Sequence, residues 1–189
     1  VFVDYGSDLN YSKPVRDIVN SFHFATYFYV GHGGLLWNKS KALNYGIRKA
    51  TTPYILTADV DLLFAPKAIE VFQNLVAPKQ YNLFRIGYLS KGTSMKQVEE
   101  GDFYQLIPKH VGDTFGIGLF PKAALEKVNG LDEFFHFYGS EDEDLNARIS
   151  QAGFNLYREN QVLFLHMWHP RYPKKIDKQL LLNILFIVF

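Results

Sequence analysis

The sequence predicts a single α/β domain. Three observations carry that expectation. Strand-like apolar runs alternate along the chain with segments of helical periodicity. The chain has 189 residues, 48% of them apolar and 16% aromatic, which supplies one sizeable core. No internal repeat, linker or low-complexity tract divides it.

The elements follow in order. "VFV" is a short strand that stops at Asp4, and "DYGSD" is a turn. "SKPVRDIVNSF" reads as a helix with Ser12 as N-cap and Pro14 in its first turn. "TYFYV" is a strand of aromatic and β-branched residues, and "GHGG", holding His32, is a loop. Asn38 caps the next helix, where Leu43, Ile47 and Ala50 recur at helical spacing. "PYILTAD" is a strand, and Pro66 starts a helix with Ile69, Phe72 and Val76 on one face. "YNLFRIGYLS" is a further strand. Residues 90–112 are polar and glycine-containing, the pattern of a mobile loop. "TFGIGLF" is a strand weakened by two glycines, and Pro121 opens a short helix that Gly130 closes. "EDEDLNARISQAG" is a helix with Ser140 as N-cap and Gly153 past its end, and "VLFLHMWHP" is a late strand. The last stretch, "LLLNILFIVF", is too short to span a bilayer. It is read as a buried element, a membrane-contacting segment, or part of a longer one.

Charge and composition narrow the function. Lys plus Arg number 20 against 19 for Asp plus Glu, so there is no broad basic field and nucleic acid is not an expected partner. With no cysteine there is no disulfide and no thiolate metal site, which fits a reducing compartment. The chain opens on Val1 inside a strand, as if its true start were missing.

Acidic residues carry the chemistry. Asp59 and Asp61 stand two apart at the end of "PYILTADVDLLF", where a continuing strand would put both on one face. Ligands of open α/β sheets bind at such strand ends. Two carboxylates there suit Mg²⁺ or Mn²⁺ holding a phosphate; the plainer alternative is a solvated turn before Pro66. In "FHFYGSEDEDLNARI", Ser140 and Glu143 have the spacing of a capping box, and an acidic first turn complements the helix dipole. Four acids in a row exceed what a cap needs, so a carboxylate poised to take a proton from a hydroxyl is the sharper reading. His166, Trp168 and His169 close the late strand, with residues 166 and 168 on one face and His169 on the other. Trp168 suits core packing or a sugar-stacking platform.

These pieces, in this order, resemble the GT-A glycosyltransferases, most closely glycosyltransferase family 2 and the C-terminal region of the β-1,4-galactosyltransferases. "VDYGSD" is similar to the family's donor-nucleotide turn, and "NKSKALNYGIRKATTPYILTADVDLLF" to its helix, strand and Asp-x-Asp segment. "FGIGLFPKAALEKVNGLDEFFHFYGSEDEDLNARISQAGF" resembles the stretch that ends in Gly-Gly-Glu-Asp-Asp-Asp, and "HMWHP" the late histidine segment. The resemblance implies a mostly parallel central sheet flanked by helices, with the fold's first strand missing. It implies one domain: residues 1–65 for the donor nucleotide, 66–175 for acceptor and catalysis, and 176–189 as a hydrophobic extension.

It also implies roles. Asp4 would contact the uracil or ribose, with Lys39 or Lys41 assisting. Asp59 would lie at the ribose and the metal's water shell, and Asp61 would bind Mn²⁺ or Mg²⁺, with His166 as third ligand and His169 as its fallback. Asp142 would be the catalytic base, with Glu141 orienting the acceptor. Gly116, Tyr138, Gly139 and Trp168 would line the sugar sites. The expected reaction is an inverting, metal-dependent transfer of a hexose or N-acetylhexosamine from a UDP-sugar to a glycan or glycolipid hydroxyl. The competing readings are a nucleotidyltransferase and a non-catalytic carbohydrate-binding relative. A cytoplasmic setting at the inner face of a membrane, contacted through residues 176–189, completes the expectation. Ser140 stands where the family has its second glycine, Glu143 where it has an aspartate, and His136 and Phe137 where the galactosyltransferases have Trp-Gly. These departures leave the sugar and acceptor open.

Overall fold

The computed structural model describes residues 1–33, 37–136 and 139–170. Tyr138, Phe137 and the expected extension 176–189 lie outside them. Among the described residues, no helix is long and apolar enough to cross a membrane.

The order of elements follows the expected alternation. β1 (Phe2–Tyr5) leads through the Asp4–Ser7 turn to α1 (Leu9–Asn20), then β2 (Tyr27–Val30), which pairs with β1 in parallel. α1 starts one turn before the predicted Ser12 cap: Asp8 is the N-cap, and Ser12 is buried inside the helix. α2 (Lys39–Lys49) begins as expected on Asn38, whose side chain accepts a hydrogen bond from the Lys41 backbone N–H. β3 (Tyr54–Thr57), β4 (Leu62–Phe64) and α3 (Ala68–Leu75) follow, then β5 (Gln80–Tyr88).

Residues 90–112 are more ordered than their composition suggested. Ser94 and Gln97 form a reciprocal capping box on the short α4 (Met95–Glu100), a 3₁₀ turn covers Phe103–Gln105, and β6 (His110–Pro121) already starts at His110. α5 (Lys122–Lys127), α6 (Glu141–Gln151) and β7 (Asn155–His166) complete the chain.

The main sheet corrects the expectation of a mostly parallel one. Its five strands run in the order β3-β6-β5-β7-β4, and only the β5–β7 pair is parallel. The reason is local. β6 is threaded back between β3 and β5, and β4 returns along β7, so each meets its neighbours antiparallel. The parallel β5–β7 pair is joined by the long crossover that contains α5 and α6.

Both faces of this sheet are buried. On one, Phe84, Ile86, Ile117 and Leu163 pack with Phe72 of α3. On the other, Tyr81, Leu83 and Phe120 pack with Ile47 of α2, Leu125 of α5 and Ile149 of α6. Removing one such ring, as in Phe84→Ala, would cost ~3–5 kcal/mol. The second face matters for function because it seats α2 and α6 side by side at one end of the sheet.

Register breaks open that end. Leu83 pairs with Gly118 while Arg85 pairs with Asp113, so β6 bulges out between Thr114 and Ile117. A bulge of this kind frees backbone from the ladder and aims it elsewhere. Here it carries Gly116 to the head of α6.

Candidate active site

Asp59 and Asp61 do not share a strand face. β3 ends at Thr57 and β4 starts at Leu62, so both carboxylates sit in the gap and diverge. Asp59 turns to α2, where its Oδ1 lies 3.8 Å from Lys39 Nζ. Asp61 turns to the end of β7. Its carbonyl accepts from Met167 N–H at 2.9 Å, and its Oδ2 lies 3.3 Å from His166 Nε2 and 3.1 Å from His169 Nε2.

The placement of His169 departs from the strand-parity expectation. The strand stops at His166, the chain leaves the ladder, and His169 folds back onto the same carboxylate. Both histidines therefore lie against Asp61, where the sequence offered a choice between them.

Asp61, His166 and His169 have the makings of a cation site. Their ligand atoms lie within 4.8 Å of one another. Asp61 Oδ1 is buried without a hydrogen-bond partner, an expensive state that an ion would relieve. One carboxylate and two imidazoles suit Mn²⁺ better than Mg²⁺ or Ca²⁺. Trp168 beside them is 45% exposed, with Lys91 Nζ 5.1 Å from its ring centre. It is thus an accessible ring and not core packing. The contact also ties the start of the 90–109 segment to this side of the site.

The second cluster lies around Lys39, in the first turn of α2. Its ammonium contacts Asp142 Oδ2 at 3.0 Å and Glu141 Oε1 at 3.6 Å, besides Asp59. One partly buried cation thus faces three carboxylates. Desolvation opposes the charge on Lys39, yet Asp59, Asp142 and Glu141 together hold its pKa above the usual lysine value. The Asp142 pKa is raised too, which for a carboxylate disfavours the charged form. Burial raises its pKa, the pull of Lys39 counters this, and repulsion from Glu141 and Asp59 adds to the rise. A carboxylate made more basic by its surroundings is what proton abstraction needs.

The backbone accommodates this cluster at two points. At Gly116 a Cβ would come 2.9 Å from Asp142 Oδ2 and 3.4 Å from Lys39 Nζ, so only glycine leaves the pair its space. At the head of α6, Ser140 is the N-cap by position, yet its φ of 70° and ψ of −10° are left-handed and its side chain makes no capping bond. The expected Ser140–Glu143 capping box is absent. Instead Gly139 N–H donates to Glu141 Oε2 at 3.0 Å, which fixes that carboxylate at the helix entrance. The run of four acids thereby divides its tasks. Glu141 and Asp142 face Lys39, Glu143 is exposed, and Asp144 holds Arg148 at 2.7 Å.

Two expected residues stand apart. Asp4 is buried, with Oδ1 accepting from Ser7 N–H at 3.0 Å and Oδ2 from the Tyr27 hydroxyl at 2.7 Å, so it secures the turn after β1. Among the described residues Lys41 has no ion pair, leaving Lys39 as the α2 lysine of the cluster. No local signal marks the contact of Lys39 with Asp142; the two are far apart in the chain and meet because α2 and α6 pack on one sheet face.

A family model described as "Glycosyl transferase family 2" matches residues 1–125. The chain belongs to glycosyl transferase family 2. A second model, described as "N-terminal domain of galactosyltransferase", matches residues 97–170, the stretch that carries Gly116, Asp142 and both histidines. A comparison with curated protein sequences returns no match.

Among solved structures, the family 2 chain is similar to a mannosyltransferase from Pyrobaculum calidifontis in complex with GDP-Man and Mn²⁺. Identity is 17%, the match covers 92% of this chain and 48% of that one, and the TM-score is 0.56. The chain thus spans about half of that enzyme. The catalytic domain of Drosophila beta1,4galactosyltransferase 7, in complex with xylobiose, matches at 18% identity over 94% of this chain and 76% of that one, with a TM-score of 0.49. The likeness to the mannosyltransferase shows the fold, which is GT-A as expected, and the activity of the family is glycosyl transfer.

Proposed function

We propose that the protein is an inverting glycosyltransferase that moves a hexose or N-acetylhexosamine from a UDP-sugar to a glycan or glycolipid hydroxyl. The observation that carries this is the pairing of two unlike sites at one sheet end. One is a carboxylate–imidazole group with an orphaned oxygen, the other a partly buried carboxylate of raised basicity. Asp59, between them in the chain and bound to Lys39, links the two.

Asp61, His166 and His169 would hold the cation. When bound, Mn²⁺ (or Mg²⁺) supplies positive charge to the departing nucleoside diphosphate. The protein's own residues do the rest. Asp142 Oδ2 takes the proton from the acceptor hydroxyl, whose oxygen then attacks the anomeric carbon from the face opposite the nucleotide. Lys39 keeps Asp142 ionised and in place, and Glu141, fixed by Gly139 N–H, orients the acceptor. The 90–109 segment, in contact with Trp168 through Lys91, is placed to exclude water from the donor.

The likeness to the mannosyltransferase supports a nucleotide-sugar donor. The mannosyltransferase is described with GDP-Man and Mn²⁺. The test is turnover of a donor panel (UDP-galactose, UDP-glucose, their N-acetylhexosamine analogues and GDP-mannose) with Mn²⁺, scored by nucleotide release. Mn²⁺-dependent release from one UDP-sugar is expected. Release from GDP-mannose alone would move the donor base to guanine, and release from none would overturn the reading.

A further inference from the structure

We propose that Asn44 and Arg148 are positioning residues for the acceptor side of the site, acting through the Val128–Glu133 segment that they clamp between α2 and α6. The proposal rests on the transfer reading above.

The segment follows α5 and leads toward α6. A surface connection of this kind ordinarily gives its backbone groups to water. Here they are taken by side chains from two helices. Arg148 Nη1 of α6 donates to Val128 O at 2.8 Å and to Gly130 O at 2.7 Å. Asn44 of α2 donates to Leu131 O at 2.9 Å and to Glu133 Oε1 at 3.0 Å, and accepts from Leu131 N–H at 2.8 Å. Asn38 Nδ2 adds a bond to Glu133 O at 2.8 Å. Asn44 is buried, and Asp144 grips the Arg148 guanidinium through Nε at 2.8 Å, so neither clamp is a loose surface contact. The fit at Gly130 is close. Its φ is 70°, and a Cβ there would meet Asn44 Oδ1.

What the clamp joins gives it meaning. α2 begins with Lys39 and α6 begins with Glu141 and Asp142, the groups that meet around the reacting proton. From Glu133 the chain runs through Phe134 and His136 to Gly139, whose N–H is held by Glu141. Glu141 is the residue assigned above to orient the acceptor, and it opens the helix that Arg148 anchors. The clamp fixes residues 128–133 against both helices, and a misplacement of about 1 Å at such a position can cost ~10²-fold in rate.

Asn44→Asp tests this. It keeps the size of the side chain and the acceptor for Leu131 N–H, but turns a donor into an oxygen facing Leu131 O and the Glu133 carboxylate. With the nucleotide sugar found by the donor panel, hydrolysis, where water is the acceptor, stays within twofold of wild type. The KM for the sugar acceptor rises at least tenfold, and adding Glu133→Gln, which restores a donor, recovers at least threefold. In the ligand-free protein, hydrogen exchange of amides 131–136 speeds up at least tenfold while that of α2 and α6 does not change. Hydrolysis and acceptor KM worsening together, no recovery by Glu133→Gln, or exchange rising throughout the protein would each overturn the proposal. If wild type turns over no nucleotide sugar, the transfer reading fails and the acceptor role with it; exchange then decides the clamp alone.

Discussion

Asp142→Asn separates a catalytic carboxylate from a structural one, because the two roles give opposite signs. Lys39 Nζ lies 3.0 Å from Asp142 Oδ2, an attraction of about 5 kcal/mol at an effective dielectric of ~20. On that contact alone the variant should be less stable. Burial of the carboxylate and repulsion from Glu141 and Asp59 outweigh it, since the Asp142 pKa is raised and not lowered. A raised folded-state pKa means that folding favours the protonated form. That stabilisation is complete below the ordinary value of 3.8 and is lost as pH rises through the folded pKa, so at neutral pH the ionised Asp142 is a net cost. Asparagine imitates the neutral acid and still accepts from Lys39, which keeps Asp59 and Glu141 as partners. Denaturant unfolding at pH 7 should therefore show Asp142→Asn at least as stable as wild type. Transfer should fall by ~10²–10⁴, the contribution of a general base. In wild type, kcat/KM should drop toward acid with a midpoint above the ordinary carboxylate value, and this limb should vanish in the residual activity of the variant. Stability falling by more than about 1 kcal/mol with transfer preserved would refute the reasoning.

Other substitutions probe the backbone around the same groups. Gly116→Ala should push the Asp142 carboxylate aside, because the new Cβ would lie 2.9 Å from Oδ2; transfer should drop about tenfold or more with nucleotide affinity unchanged, as measured by kcat and calorimetry. Ser140→Gly should raise unfolding free energy by roughly 0.5–1 kcal/mol, since a left-handed non-glycine residue with no capping bond is replaced by one that adopts φ 70° freely. Tyr27→Phe removes the hydroxyl that holds Asp4, whose pKa is lowered by the hydrogen bonds of Tyr27 and Ser7 against desolvation. A lowered carboxylate stabilises above its unfolded value of 3.8 and loses that as pH falls through the folded one. The variant should thus lose about 1 kcal/mol at pH 7 and less of it near pH 2, read from urea midpoints.

Much of this was legible in the chain because the signals were local. Asn38 declares its cap through its own neighbours, and Pro121 and Gly130 bracket α5 as their chemistry requires. The acids at 59, 61 and 141–142 could be singled out because charges next to apolar runs are costly without a purpose. Long-range pairing was not legible. Whether β3 continues through Asp59 depends on β6 and β7, not on residues 53–65, so the two aspartates looked like neighbours on one face. Strand parity puts His169 on the wrong side because parity ends where the ladder ends, at His166. The glycines of β6 suggested weakness, while the structure uses Gly116 to bring backbone up to Asp142. Arg148 carried one readable signal, its i, i+4 spacing from Asp144. Asn44 carried none, since its partners lie 87 and 89 residues away.

The central claim is that Asp61, His166 and His169 hold a cation against a nucleoside diphosphate. The most direct test is calorimetric titration of UDP into the protein with Mn²⁺ and again with EDTA, for wild type and Asp61→Ala. The account expects binding by wild type that needs Mn²⁺, and none by Asp61→Ala under either condition. Equal binding of UDP with Mn²⁺ and with EDTA, or undiminished Mn²⁺-dependent binding by Asp61→Ala, would contradict it.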